Sequence, residues 1–132
     1  MGYYFPGHAE RSKVLKILVT GVAGFIGMHV ASRLVGRGDT VFGIDNLNDY
    51  CDVSLKLSRL DQLKTQSKFV FQKCDICDQA ELKNIFQNEM FDCVVHLAAQ
   101  AGVRYSITNP QPYINANIVG FLNVLECCRD LE

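Results

Sequence analysis

Three glycines stand at intervals of three, Gly21, Gly24 and Gly27, directly after the apolar run Ile17-Leu18-Val19. At the junction of a strand and a helix, such glycines have separate uses. One lets the chain turn sharply, one leaves no side chain between backbone and a diphosphate, and one lets the helix sit close to the strand. The helix start adds unpaired N–H groups and a partial positive charge for an anion. Asp45 follows Gly27 by 18 residues, near the roughly 20 at which a carboxylate accepts the hydroxyls of an adenosine ribose. A carboxylate there repels an additional ribose phosphate, so the pattern favours NAD over NADP. Asp45 also suits a turn cap. Asn46 and Asn48, in the polar loop that follows, are adenosine-side candidates and equally turn formers. Asp75 and Ile76 close a third apolar run. They suit an adenine, the carboxylate accepting from the exocyclic amine and the isoleucine packing on the ring. Asp75 or Asp78 also suits a helix N-cap.

Other chemistries have weaker support. Cys74-Asp75-Ile76-Cys77 has the C-x-x-C spacing of zinc and thiol-redox sites. A structural zinc site needs four ligands, and no second pair accompanies this one. Buried free cysteines more often act as small apolar residues. His96, alone in an apolar run, reads as a packed core histidine. Six cysteines without a secretory leader favour reduced thiols and a cytoplasmic location. A formal net charge of −1 gives no reason to propose nucleic acid as a partner, and no apolar run reaches the length of a membrane span.

The elements that must position these residues alternate in type. Lys16–Thr20, Val41–Ile44, Phe69–Gln72 and Asp92–Ala99 read as strands. Between them, Ile26/Val30/Leu34, Val53/Leu57/Leu60/Leu63 and Ala80/Leu82/Ile85/Phe86 recur at helical spacing. Lys56, Arg59, Asp61 and Lys64 fall on the polar face of the second helix. Gln100–Pro110 reads as a polar loop. The last helix carries Ile114, Ile118, Leu122 and Leu125 on one face. The order β-α-β-α-β-α-β-α with short connections predicts an α/β doubly wound parallel sheet, strand order 3-2-1-4, preceded by a flexible extension over 1–13. Strand four would be an apolar edge, which invites further chain to cover it.

Thr20-Gly21-Val22-Ala23-Gly24-Phe25-Ile26-Gly27 resembles the TGxxGFIG signature of the extended short-chain dehydrogenases, the nucleotide-sugar epimerase/dehydratase group, and His96-Leu97-Ala98-Ala99 resembles that group's HLAA strand end. The loops Asp45–Tyr50 and Ala99–Ser106 look most like those of the UDP-glucuronate 4-epimerase branch. The resemblance covers about Lys16 to Arg129 and implies the N-terminal part (14–132) of a Rossmann-type NAD-binding domain. It implies that Gly21, Gly24, Phe25, Ile26 and Gly27 line the diphosphate. Asp45, Asn46 and Asn48 would hold the adenosine ribose and its surroundings, and Asp75 and Ile76 would meet the adenine. Leu97, Ala98, Ala99 and Gln100 would border the nicotinamide. Arg104 and Ser106 would approach a nucleotide sugar, the guanidinium being suited to a uronate carboxylate. A homodimer is a further implication, through the face bearing Phe121 and Leu125. The group's catalytic Tyr-x-x-x-Lys is absent: four residues after Tyr3, Tyr4, Tyr50, Tyr105 and Tyr113 stand Gly7, His8, Ser54, Asn109 and Asn117. No residue is therefore assigned a catalytic or metal role. A non-catalytic NAD-binding module and a related dehydratase or decarboxylase remain open alternatives.

Overall fold

The computed structural model describes residues 13–130. Nearly all of the expected N-terminal extension therefore lies outside the described residues. Four parallel strands form one sheet in the order β3-β2-β1-β4, from β1 (Lys16–Thr20), β2 (Thr40–Asp45), β3 (Phe69–Lys73) and β4 (Cys93–His96). The order matches the expected 3-2-1-4. Central β1 pairs Thr20 with Ile44 on one side and with His96 on the other. All four strand ends therefore open toward the same edge.

Residues alternate across the sheet, and helices cover both faces. Ile17, Val19 and Val41 pack with Ala31, Leu60 and Leu63 from α1 (Phe25–Gly36) and α2 (Val53–Lys64). Leu18, Phe42 and Ile44 pack with Leu82, Ile85 and Phe86 of α3 (Gln79–Glu89) and with Val124 and Cys127 of α6 (Phe121–Arg129). Asp52 and Asp78 cap α2 and α3, accepting from the N–H groups of Ser54 and Glu81 at 2.8 and 3.0 Å.

Several helix faces differ from expectation. In α1 the buried positions are Gly27 and Ala31, while Ile26 is 62% exposed. The close approach of Gly27 to the preceding turn dictates that rotation. In α2 the buried stripe is Lys56, Leu60 and Leu63, and Leu57 is exposed. Lys56 takes an apolar residue's place because its ammonium finds partners inside. Ala80 is exposed. The loop after β4 is partly helical, with α4 (Val103–Thr108) and α5 (Gln111–Ile114), and a π-helical segment (Asn115–Gly120) leads into α6. Gly120, Asn123, Val124 and Cys127 face inward, and Ile118, Leu122 and Leu125 lie exposed. The helical stripe read from sequence is thus the outer one. The wider π turn shifts the register, and Gly120 and Asn123 fit closely against Ile76. Finally, β4 ends at His96 rather than Ala99, because its partner β1 stops at Thr20.

Candidate dinucleotide-binding site

The chain turns at Gly21 with φ +68°, and a Cβ there would strike the Ala98 backbone. At Gly27 a Cβ would collide with the Gly21 carbonyl. Only glycine therefore lets β1, the start of α1 and the end of β4 meet this closely. Gly24 is the N-cap of α1 and has no side chain to cap it, so the first-turn N–H groups remain available to an anion. The turn is bolted to the neighbouring strand. Val22 N–H donates to the Ile44 carbonyl at 3.2 Å, and Ala23 N–H donates to Asp45 Oδ2 at 3.2 Å.

Asp45 is 8% exposed, at the end of β2. Its Oδ1 accepts from Leu47 N–H at 2.9 Å and lies 3.6 Å from Lys56 Nζ. The turn-forming role and a place in the cleft thus coexist, since a carboxylate has about four acceptor positions. Lys56 Nζ also donates to the Asn48 carbonyl and Oδ1 at 3.1 and 3.0 Å. Sequence reading missed this lysine, which looks like any charge on an amphipathic helix. The signal was its i, i+4, i+7 spacing with Leu60 and Leu63.

The adenine-side candidates also converge. Asp75 Oδ2 accepts from Asn46 Nδ2 at 3.1 Å and Oδ1 from Cys77 N–H at 2.8 Å. Burial pushes the Asp75 carboxyl up, but hydrogen bonds from Cys77 and then Asn46 together outweigh it and hold the group below its ordinary value. Asn123 Nδ2 donates to the Ile76 carbonyl at 2.9 Å, and a Cβ on Gly120 would strike the Ile76 side chain. At the other end, Asn117 grips the Gln100 backbone twice: Oδ1 accepts from the Gln100 N–H at 2.8 Å and Nδ2 donates to its carbonyl at 3.1 Å. One helix thus braces both ends of the cleft. Their places in the sequence mark neither Asn117 nor Asn123 for this role.

Thr20 and His96 join the ends of β1 and β4. Thr20 Oγ1 accepts from the N–H groups of Leu97 and Ala98 at 3.0 and 3.1 Å and lies 2.8 Å from His96 Nδ1. With both lone pairs engaged, the hydroxyl has only its proton to give. It therefore donates to His96 Nδ1, and the imidazole is neutral with its proton on Nε2. Burial pushes the His96 pKa down, in the same sense. His96 is half-buried and stacks on Phe121.

A single cleft is lined by Gly21, Gly24, Asp45, Asn46, Asn48, Asp75, Ile76, Leu97, Ala98, Ala99 and Gln100, together with Tyr50 and Lys56. Phe25 and Ile26 lie beside it on α1 and are exposed, Phe25 packing edge-on against His29. Arg104 and Ser106 stand on α4 outside the lining. Arg104 is exposed, and Ser106 Oγ donates to the Val103 carbonyl at 2.6 Å. The C-x-x-C thiols are poorly suited to redox work: burial, then nearby carboxylates, push Cys74 up to about 12 and Cys77 up to about 11. The six cysteines are unpaired, and no group of three or more metal-ligating side chains occurs among the described residues.

A glycine-turn βαβ unit, a carboxylate at the β2 end and a cleft across the strand ends define a Rossmann-type dinucleotide-binding fold. The family profile described as GDP-mannose 4,6 dehydratase matches residues 18–132, and the chain belongs to that family, within the NAD-dependent epimerase/dehydratase group. It is 52% identical over 113 residues to UDP-glucuronate 4-epimerase 3 of Arabidopsis thaliana, covering 86% of this chain and 26% of the relative. It is 47% identical over 130 residues to the UDP-glucuronate 4-epimerase of Thermodesulfobacterium geofontis, covering 98% of this chain and 36% of that one. The crystal structure of UDP-glucuronic acid 4-epimerase from Bacillus cereus in complex with UDP-glucuronic acid and NAD is similar with a TM-score of 0.79 at 39% identity, over 86% of this chain and 36% of that chain. The chain thus spans between 26% and 36% of the length of these relatives.

Proposed function

We propose that residues 14–132 form the N-terminal, cofactor-binding part of an NAD-dependent nucleotide-sugar epimerase that interconverts UDP-glucuronate and UDP-galacturonate at C4. The observation that carries this reading is the convergence of the glycine turn, Asp45 and the Asp75–Ile76 loop on one cleft. The names of the relatives supply the substrate. The residues fit the cofactor: the turn leaves a cradle without side chains, and the cleft has carboxylate acceptors at its adenosine end. In this reading Gly21, Gly24, Phe25, Ile26 and Gly27 hold the diphosphate, and Asp45, Asn46 and Asn48 hold the ribose. Asp75 and Ile76 meet the adenine, and Leu97 to Gln100 border the nicotinamide. A bound nicotinamide would supply the hydride-accepting and hydride-donating chemistry at the sugar C4. Arg104 and Ser106, beyond the cleft on α4, are the proposed sugar contacts. No Tyr-x-x-x-Lys occurs in the 132 residues, so the proton transfer at the sugar hydroxyl is assigned to no residue here. The exposed row Ile118, Phe121, Leu122 and Leu125 is the proposed protein-contact face, a homodimer included.

Calorimetric titration with NAD and with NADP tests the cofactor reading. NAD is expected to bind more tightly than NADP, and UDP-glucuronate is expected to remain unconverted by this chain alone. Equal affinity for both cofactors, or turnover by the chain, overturns the corresponding part.

A further inference from the structure

The cleft carries one feature that cofactor contacts do not explain. Tyr50 belongs to the β2–α2 loop, and its hydroxyl reaches Gly102 in the β4–α4 loop, where an added Cβ would land on that oxygen. Gly102 has φ +101°, a conformation that keeps other residues out independently of the contact. The Tyr50 ring packs on Tyr105 with centroids 5.0 Å apart, and Tyr105 packs on Tyr113 at 6.2 Å. The Tyr113 hydroxyl donates to the carbonyl of Ala101 at 2.9 Å and to that of Gly102. Three tyrosines thus join two loops that come from opposite sides of the sheet's centre.

The sheet order shows what lies beneath. β1 runs between β2 and β4. A side chain from the β2 loop that touches the β4 loop crosses the line of β1, at the sheet edge where the glycine turn lies. Tyr50 and Ala101 line the same cleft as Gly21 and Gly24. We propose that Tyr50 is a strap across the mouth of this cleft, closed over the diphosphate run and opening to admit or release a dinucleotide. This rests on the cofactor reading above. The outer side of the strap faces solvent, Tyr50 and Tyr105 being 42% and 37% exposed. Swinging Tyr50 outward breaks its ring pair with Tyr105 and its hydroxyl's contacts beside Gly102 and Tyr113, and Tyr50 belongs to neither core cluster. A pair of that kind slows opening by about tenfold.

Stopped-flow measurement of NADH binding to the 132-residue chain and to Tyr50→Ala tests the proposal. A strap limits entry and exit alike, so Tyr50→Ala should raise both the association and the release rate by about tenfold. A rise in the release rate alone marks Tyr50 as an ordinary contact and overturns the strap, as do unchanged rates. An independent measurement keeps the two readings separate. In the chain without nucleotide, the NMR spectrum should show an Overhauser contact between the Tyr50 ring and the Gly102 α-protons. Its absence overturns the strap, whatever the chain binds. Failure of the wild-type chain to take up NADH overturns the cofactor reading, and with it the strap's role over a dinucleotide.

Discussion

Asp45 holds more together at the residue scale than a ribose contact requires. Its carboxylate accepts from two backbone N–H groups and faces an ammonium that is itself almost enclosed. Asp45→Ala should therefore weaken NAD binding and also destabilise the fold by about 3 kcal/mol, because it strands Lys56 and two inward N–H donors. Urea denaturation checks the second effect. Pairing the change with Lys56→Met should recover part of the loss, since the stranded charge is then gone. Thr20 and His96 give a second prediction. Thr20→Val keeps the shape but takes the acceptor from the Ala98 N–H and leaves the Leu97 N–H only its longer bond to the Thr20 carbonyl at 3.3 Å, at a cost of about 1–3 kcal/mol; Thr20→Ser should cost far less. The same pair makes stability depend on pH. Burial lowers the folded pKa of His96 below its ordinary 6.5, so the unfolded chain takes up the proton first. The contribution is present above about pH 6.5 and is lost as pH falls toward the folded value. Denaturation midpoints across pH 5 to 7.5 should fall on the acid side, and less so in His96→Gln.

Among the elements, the helix through Asn115–Gly120 and Phe121–Arg129 does the bracing. Asn117 ties the segment after β4 at Gln100, and Asn123 ties the Asp75–Ile76 loop. Asn123→Ala leaves the buried Ile76 carbonyl without its donor. It should cost about 1–3 kcal/mol and loosen the Asp75–Ile76 end of the cleft before the glycine turn. Hydrogen exchange should show the amides of 75–78 losing protection while those of β1 keep theirs. This helix also shows where sequence reading fails. Ile114, Ile118, Leu122 and Leu125 form a sound apolar stripe, yet the structure leaves that stripe outward. Periodicity identifies an apolar face, but it does not say what the face meets. The π turn, which changes the angular register, leaves no mark on composition.

At the scale of the whole molecule, an exposed apolar row on a Rossmann-type sheet predicts association. Sedimentation should show self-association that rises with concentration and that Leu122→Glu, at a 54% exposed position, sharply reduces. Unchanged sedimentation would remove the homodimer proposal. No helix among the described residues is long and apolar enough to cross a membrane.

The sequence by itself determined the four strands with the three helices between them, the parallel sheet, and the places of Gly21, Gly24, Gly27, Asp45, Asp75 and Ile76 at turns and strand ends, though not the short helices after β4. These are local matters: apolar runs, helical periods, and residue types demanded by a turn or a charge at a fixed distance along the chain. Tertiary structure alone decided that Lys56 turns inward, that Asn117 and Asn123 hold the two ends of the cleft, that Thr20 fixes the His96 proton, and that Tyr50 spans to Gly102. Lys56 meets Asn48 only 8 positions away, and its spacing hints at the burial, but the other pairings join residues far apart in the chain, Thr20 and His96 by 76 positions and Asn123 and Ile76 by 47. A polar side chain's role depends on which partner the fold brings within about 3 Å of it, and no spacing along the chain encodes that meeting.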